Sequence, residues 1–259
     1  MSSISVIIPT YNEEEYLPHL LQSLAKQSLE PLEVIVADAN SQDSTREIAL
    51  KADCMVVDGG LPAVGRNRGA QVAQGDYLLF LDADVIVPSD FIEKALKEFE
   101  DRYLEIAPIK FKPISSLKLD KLMFRINELA QQGLQEFYPI SPGAALIVTK
   151  RLHRRIGGFD EESEIEDNDY GDRARAIAKF GVITTTYVNL SVRRFDKEGR
   201  FKLLNKYMKR GFFRRLRSLG VDYDFKYQFG DYSEAEGLTR AERFLENILQ
   251  QLENKKDSF

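Results

Sequence analysis

The segment GRNRGAQVAQGDYLLFLDADVIVP, residues 65–88, decides how this chain folds. Tyr77 to Leu81 is an unbroken apolar run that leads directly into Asp82-Ala83-Asp84. A short continuous apolar run bounded by polar residues reads as a strand buried on both faces. The stretch before it, Gly65 to Gln74, reads as a helix that Gly75 ends. A helix feeding a buried strand is half of a βαβ unit, so the neighbouring segments should repeat the alternation.

They do. Ile4 to Ile8 is a β-branched run stopped by Pro9, Leu32 to Ala37 is a second apolar run, and Met55 to Val57 a third. Between them, Glu13 to Lys26 carries Tyr16, Leu17, Leu20, Leu21 and Leu24 at helical spacing. Asp43 or Ser44 can cap another helix through Lys51, and Ser89 starts one through Phe99. This order implies an α/β fold with a mostly parallel central sheet flanked by helices. In such sheets ligands sit beyond the carboxyl ends of the strands. Three polar clusters fall there: Thr10-Tyr11-Asn12-Glu13, Asp38-Ala39-Asn40-Ser41 and Asp82-Ala83-Asp84.

The second half is less regular. Leu104 to Phe111 and Val182 to Tyr187 read as strands, and Ala144 to Val148 as a strand entering a short helix. Leu117 to Gln135 and Asn168 to Phe180 read as helices. Residues 193–217 are strongly basic with interleaved aromatics. Leu238 to Leu252 reads as a terminal helix, with Thr239 and Glu242 forming a capping box. That helix leaves open both a dimer contact and packing on its own domain. We expect one α/β domain over 1–190, its regular half ending at about residue 100 and the less regular half following. A basic, helical extension over 191–259 would follow.

Bulk properties exclude several classes. The 259 residues suffice for one large α/β domain or a domain with an appendage. A net charge of −5 argues against general nucleic-acid binding. Cys54 is the single cysteine, so no internal disulfide can form. No apolar run approaches the roughly 20 residues of a membrane-spanning helix. The first residues lack the positive charge that precedes a signal sequence. A cytoplasmic protein is expected, with peripheral contact at the inner membrane face left open through the 193–217 stretch.

Read one at a time, the polar residues are ambiguous. Asp82 and Asp84 can hold a hard divalent ion beside phosphate oxygens, or form a solvated turn in which Asp84 caps a helix. Asp38 can accept hydrogen bonds from a base or ribose, or close a turn. Arg66 and Arg68 sit at a helix start after Gly60 and Gly65, and suit either diphosphate contact or surface ion pairs. Glu166 and Asp167 can supply a general base, or lie in a solvated acidic loop at a helix start. The basic stretch fits an anionic membrane surface, a phosphorylated acceptor or a solvated helix. His19 and His153 stand alone and read as ordinary surface or core residues.

Taken in order, SVIIPTYNEEEYL, VIVADANSQDSTREIA, GRNRGAQVAQGDYLLFLDAD, PGAALIV and GGFDEESEIEDNDYGDRARAIAKFG resemble an inverting family 2 glycosyltransferase of the GT-A fold. The resemblance spans about residues 3 to 187; it implies that 1–190 is a catalytic domain, with a nucleotide-binding half over about 1–100 and an acceptor half over about 101–190, and it implies roles for individual residues. Thr10, Tyr11 and Glu13 would line the nucleotide pocket, and Asp38 would recognise the base. Arg66 would approach the nucleotide or its phosphates. Asp82 and Asp84 form the DxD motif, with Asp84 the direct ligand of Mn2+ or Mg2+ and Asp82 the contact to donor ribose or metal-bound water. Asp167 would be the general base and Glu166 its neighbour. Arg193 and Arg194 would reach the diphosphate. The implied partners are a nucleotide-diphosphate sugar and an acceptor hydroxyl on a glycan, a lipid phosphate or a small molecule.

The chain departs from the family pattern where Ala37 and Ala39-Asn40 flank Asp38 in place of the usual Asp/Gly residues. The Gln-x-x-Arg-Trp motif of processive members is absent, as is any tryptophan, which argues against a synthase of long polysaccharides. A dinucleotide oxidoreductase would need a Gly-rich turn after the first strand, and PTYNEE has no glycine. A nucleotidyltransferase would want a Gly-rich basic loop near the N-terminus, also missing. A non-catalytic nucleotide-sugar-binding relative stays open.

Overall fold

The computed structural model describes residues 3–125, 144–163 and 166–203, together with 238, 239, 242, 243, 245–247 and 250. The chain divides into two compact units, 1–112 with 126–190, and 113–125 with 191–259.

The first unit is built on strands β1 (Ile4–Thr10), β2 (Glu33–Asp38), β3 (Met55–Asp58), β4 (Tyr77–Leu81), β5 (Val85–Ile86), β6 (Ile106–Ile114), β7 (Ala145–Thr149) and β8 (Ile183–Ser191). They form one sheet in the order β3-β2-β1-β4-β7-β6-β8-β5. The β3-β2-β1-β4 part is parallel, as the helix-strand alternation requires. Beyond it, β7 runs antiparallel to β4 and β6 antiparallel to β7, so the sheet as a whole is mixed.

Apolar side chains alternate between the two faces of this sheet, as the strand period of two demands. Val6, Ile8, Val36, Leu79, Leu81 and Ile147 join one buried cluster with helices α1 (Leu17–Leu24) and α4 (Phe91–Asp101). Ile7, Ile35, Leu78, Phe80, Leu146 and Val148 join another, with α3 (Pro62–Val72), α5 (Lys150–Arg155) and α6 (Glu166–Arg175). Both faces are covered, which is why the strands read as continuous apolar runs. Helix α2 (Thr45–Lys51) adds Ala49 to the first cluster. A Cβ on Gly69 would stand 2.5 Å from Cγ2 of Ile7, and one on Gly65 3.2 Å from Cβ of Pro9. Helix α3 therefore lies hard against β1 on its glycine face.

Several element boundaries differ from expectation in an informative way. Val85 and Ile86 form β5, paired with β8, where a turn entering a helix was one reading. The N-cap of α4 is Asp90, so Asp84 caps no helix. Helix α6 opens at Glu166, not Asn168, with three acidic residues in a first turn whose exposed N–H groups favour them. It ends at Arg175, and Phe180 instead bridges to Ile106.

In the second unit, residues 118–125 and 200–203 are helical and α7 spans Arg193–Glu198. Arg200, 1% exposed, donates to Oδ1 and Oδ2 of the fully buried Asp120 at 2.7 and 3.0 Å and to Asp196 at 2.7 Å. This member of the basic stretch is an interior residue. Residues 204–217 of the stretch, and 126–135 of the helix expected from Leu117, lie outside the described residues. Thr239 and Glu242 form the expected capping box, with reciprocal bonds of 2.8 and 3.3 Å. Glu246 accepts from the backbone N–H of Lys118 and Leu119 at 2.9 and 2.7 Å, capping a helix start far away in sequence. No helix of the described residues is long and apolar enough to cross a membrane.

Candidate active site

The carboxyl ends of β1, β2 and β3 lie in register, with Thr10 beside Asp38 and Asp38 beside Asp58. Asp38 is buried, and its carboxylate accepts from Ser41 Oγ at 2.5 Å, Ser41 N at 3.1 Å and Thr10 Oγ1 at 3.2 Å. It thus closes the turn after β2. Asn12 and Asn40, both at positive φ, shape the loops after β1 and β2, and Asn12 N–H donates to Ser41 Oγ at 2.9 Å. Glu13 N–H donates to Thr45 Oγ1 at 2.7 Å, while the Tyr11 ring stands 52% exposed at the rim. Gly59 N–H donates to Asp38 O at 2.7 Å, and a Cβ there would come within 2.5 Å of Ala37 O. The link from β3 into α3 can take only glycine at that approach.

Helix α3 then carries Arg66 inward. Its side chain is 4% exposed, yet three carboxylates meet it. Nη2 donates to Asp82 Oδ1 at 3.0 Å, and Nη1 donates to Asp167 Oδ1 at 2.9 Å and to Glu166 Oε1 at 3.4 Å. Burial alone would favour losing the proton; the pull of Asp167, Asp82 and Glu166 outweighs it and raises the guanidinium pKa. Asp82 sits where β4 ends, with its N–H held by Ala144 O at 3.1 Å and its side chain 32% exposed. Asp84 follows, 7% exposed. The structure therefore brings together Arg66, Asp82, Glu166 and Asp167, with Asp84 two residues on along the chain.

The loop before α6 is fixed by residues the sequence reading did not single out. Asn67 Nδ2 donates to Phe159 O at 2.9 Å, and Phe159 N–H donates to Asn67 Oδ1 at 2.8 Å. The Phe159 ring lies under the Arg66 guanidinium at 5.4 Å and stacks on Tyr170 at 4.0 Å. Tyr170 is fully buried, and its hydroxyl meets His153 Nδ1 at 2.9 Å. Burial, then Arg173 and Arg154, pulls the His153 pKa down to about 4; burial pushes Tyr170 up. His153 is thus a core residue, one of the two readings its isolation left open. Arg173 donates to Ile156 O and Gly158 O at 2.5 and 2.8 Å, holding the same loop from α6. Arg68 donates to Asp58 O and Gly59 O at 3.2 and 2.9 Å, steadying the β3–α3 link. The sequence signal for this support was the Arg-Asn pair beside a glycine, read only for its arginine.

Residues 5–149, more than half of the chain, running from within β1 to the end of β7, match the profile of Glycosyl transferase family 2. The chain belongs to glycosyl transferase family 2. The matched span includes Arg66, Asp82 and Asp84 and stops before Glu166 and Asp167. This family 2 chain is 30% identical over 154 residues to poly(ribitol-phosphate) beta-N-acetylglucosaminyltransferase TarS of Staphylococcus aureus strain Mu50, covering 55% of itself and 27% of that protein. It is 40% identical over 103 residues to 4,4'-diaponeurosporenoate glycosyltransferase of Staphylococcus haemolyticus, covering 36% of itself and 27% of that protein. It thus spans about a quarter of the length of these curated relatives. Among solved structures it superposes on S. aureus TarS 1–349 in complex with UDP-GlcNAc, with a TM-score of 0.60, 26% identity, and coverage of 73% and 58% of the two chains. The mixed sheet with helices on both faces is the GT-A fold expected of the family.

Proposed function

We propose that this family 2 chain moves a sugar from a nucleotide-diphosphate sugar to an acceptor hydroxyl by direct displacement with inversion. One observation carries the reading: the carboxylates at the end of β4 and those at the start of α6, about 85 residues apart, close on the same guanidinium. Support for the donor comes from the similarity to TarS in complex with UDP-GlcNAc.

Asp84 and Asp82 supply hard oxygen donors at one strand end, and among the described residues no group of three or more His, Cys, Asp or Glu forms a protein-only cage. Two carboxylates suit a hard divalent ion such as Mn2+ or Mg2+, so Asp84, with Asp82 beside it, would hold the ion. When bound, the ion offsets the charge that builds on the leaving diphosphate. The rest falls to the chain. Thr10, Tyr11, Glu13 and Asp38, on the neighbouring strand ends, would form the nucleotide side. Asp167 would accept the proton of the acceptor hydroxyl as its oxygen bonds to the anomeric carbon. The bond from that carbon to the diphosphate oxygen breaks on the opposite face, releasing the nucleoside diphosphate. Glu166 would flank the base.

Titration calorimetry with UDP-GlcNAc and GDP-mannose, with and without Mn2+, tests this together with donor turnover. Asp84→Ala should lose metal-dependent donor binding and turnover. Asp167→Asn should keep binding and lose turnover by about 10²–10⁴-fold, the usual contribution of a positioned base. Full turnover in either variant sinks the mechanism. Donor binding without turnover in the parent chain would mark a non-catalytic nucleotide-sugar-binding relative instead.

A further inference from the structure

Arg66 is placed to do more than balance charge. It is a cation with almost no contact with solvent, and its two terminal nitrogens serve different elements: Nη2 the end of β4, Nη1 the first turn of α6. A guanidinium is planar and rigid, so the spacing between its nitrogens is fixed. Whatever both nitrogens hold is fixed at that spacing too. Lysine, a point charge on a flexible stem, could attract the same acids without setting the distance between them.

The next residue on α3 adds a second grip. Asn67 pairs both ways with the backbone of Phe159, whose ring lies under the Arg66 guanidinium. Adjacent positions of one helix thus hold the loop before α6, the first turn of α6 and the end of β4. Helix α3 can transmit this because Gly69 and Gly65 seat it against β1 with no slack.

We propose that Arg66 is a positioning residue that sets the separation between Asp82 on the donor side and the base Asp167, acting through these carboxylates and not on the diphosphate. Its effect on turnover rests on the glycosyltransferase reading above; the mechanical link between the acids does not. The resemblance to the family implied a contact with the nucleotide or its phosphates, so the two roles are to be separated by experiment.

The link is read without substrate. Asp82→Asn, Asp167→Asn and the double variant are unfolded in urea, in the parent chain and in an Arg66→Met background. If one guanidinium joins the two acids, the double variant departs from the product of the single effects on the unfolding constant by about tenfold in the parent chain. In the Arg66→Met background the effects multiply to within about twofold. Multiplication in the parent chain overturns the link, whatever donor the protein uses. The role is read separately. Arg66→Lys should leave the affinity for UDP with Mn2+ nearly unchanged while UDP-GlcNAc turnover falls about 100-fold, the cost of a displacement near 1 Å. Arg66→Ala should regain turnover with dilute guanidinium chloride but not with equal sodium chloride. Parallel loss of UDP affinity and turnover in Arg66→Lys would make Arg66 a phosphate contact and overturn the positioning role. Unchanged turnover in Asp84→Ala would instead sink the glycosyltransferase reading and leave the urea result standing.

Discussion

His153 shows how one buried residue can be silent in the chemistry yet contribute to the pH response of the fold. Its ring lies against Phe80 and Phe159, its Nδ1 meets Tyr170, and Arg173 and Arg154 oppose its protonation. The folded pKa is lowered from 6.5 to about 4, so between those values the unfolded chain takes up a proton that the folded chain refuses. The stabilisation is complete above pH 6.5 and is lost as pH falls toward 4. At full extent it amounts to about 3 kcal/mol. Urea midpoints measured from pH 7 to pH 4 should therefore fall more steeply for the parent chain than for His153→Gln. Equal slopes would show that the histidine takes up its proton as readily in the fold as in the unfolded chain. The site acids sit on the other side of the same aromatic stack, which joins His153 through Tyr170 and Phe159 to Arg66.

At the scale of elements, α3 is the piece whose placement matters most, because β1, β4 and α6 all meet residues it carries. Its seat depends on the missing side chain at Gly69, which faces the stiff, fully buried Ile7. Gly69→Val should cost about 2–3 kcal/mol by overpacking, seen as a lower thermal midpoint. An unchanged midpoint would mean that α3 can lift from the sheet freely. This region also shows what a sequence can display. Strands β1, β2 and β4 are legible because their apolar residues are buried on both faces, with only Ser5 breaking the run in β1; β3, an edge strand left partly exposed, is legible from Val56 and Val57. The strand-end clusters are legible because polar residues resume abruptly at Thr10, Asp38 and Asp82. Strand β5 escapes notice because two residues have no period. The partners of Arg66 escape notice for another reason: Asp82 is 16 residues away and Glu166 is 100, and pairing at such range is set by topology. Asn67 works through its amide and a backbone, a contact with no signature in residue type. Family resemblance named the acids and Arg66, but gave Arg66 to the nucleotide or its phosphates and not to the acids it meets.

At the scale of the whole molecule, the second unit is discontinuous, taking 113–125 from the middle of the chain and 191–259 from its end. Its interior depends on carboxylates that reach back: Asp120 pairs with Arg200, and Glu246 receives Lys118 and Leu119. Glu246→Ala leaves two backbone donors at a helix start without their acceptor, a loss of about 1–2 kcal/mol. The amides of Lys118 and Leu119 should then exchange with deuterium about tenfold faster or more, while those of β1 and β4 keep their rates. A uniform rise across both sets would show that the cap supports the fold globally.

That reach sets a schedule for the growing chain. Lys118 leaves the ribosome 128 residues before Glu246 does. At the usual 5–20 residues per second, the helix at 118–125 waits roughly 6 to 25 seconds for its cap. β1 to β4 are made before that interval begins, and β7, α6 and β8 during it, so the sheet can assemble while this helix start is still bonded to water. A nascent chain stalled at residue 200 should resist protease over β1 to β4 and be cut near residue 118, and release of the full chain should close that cleavage site.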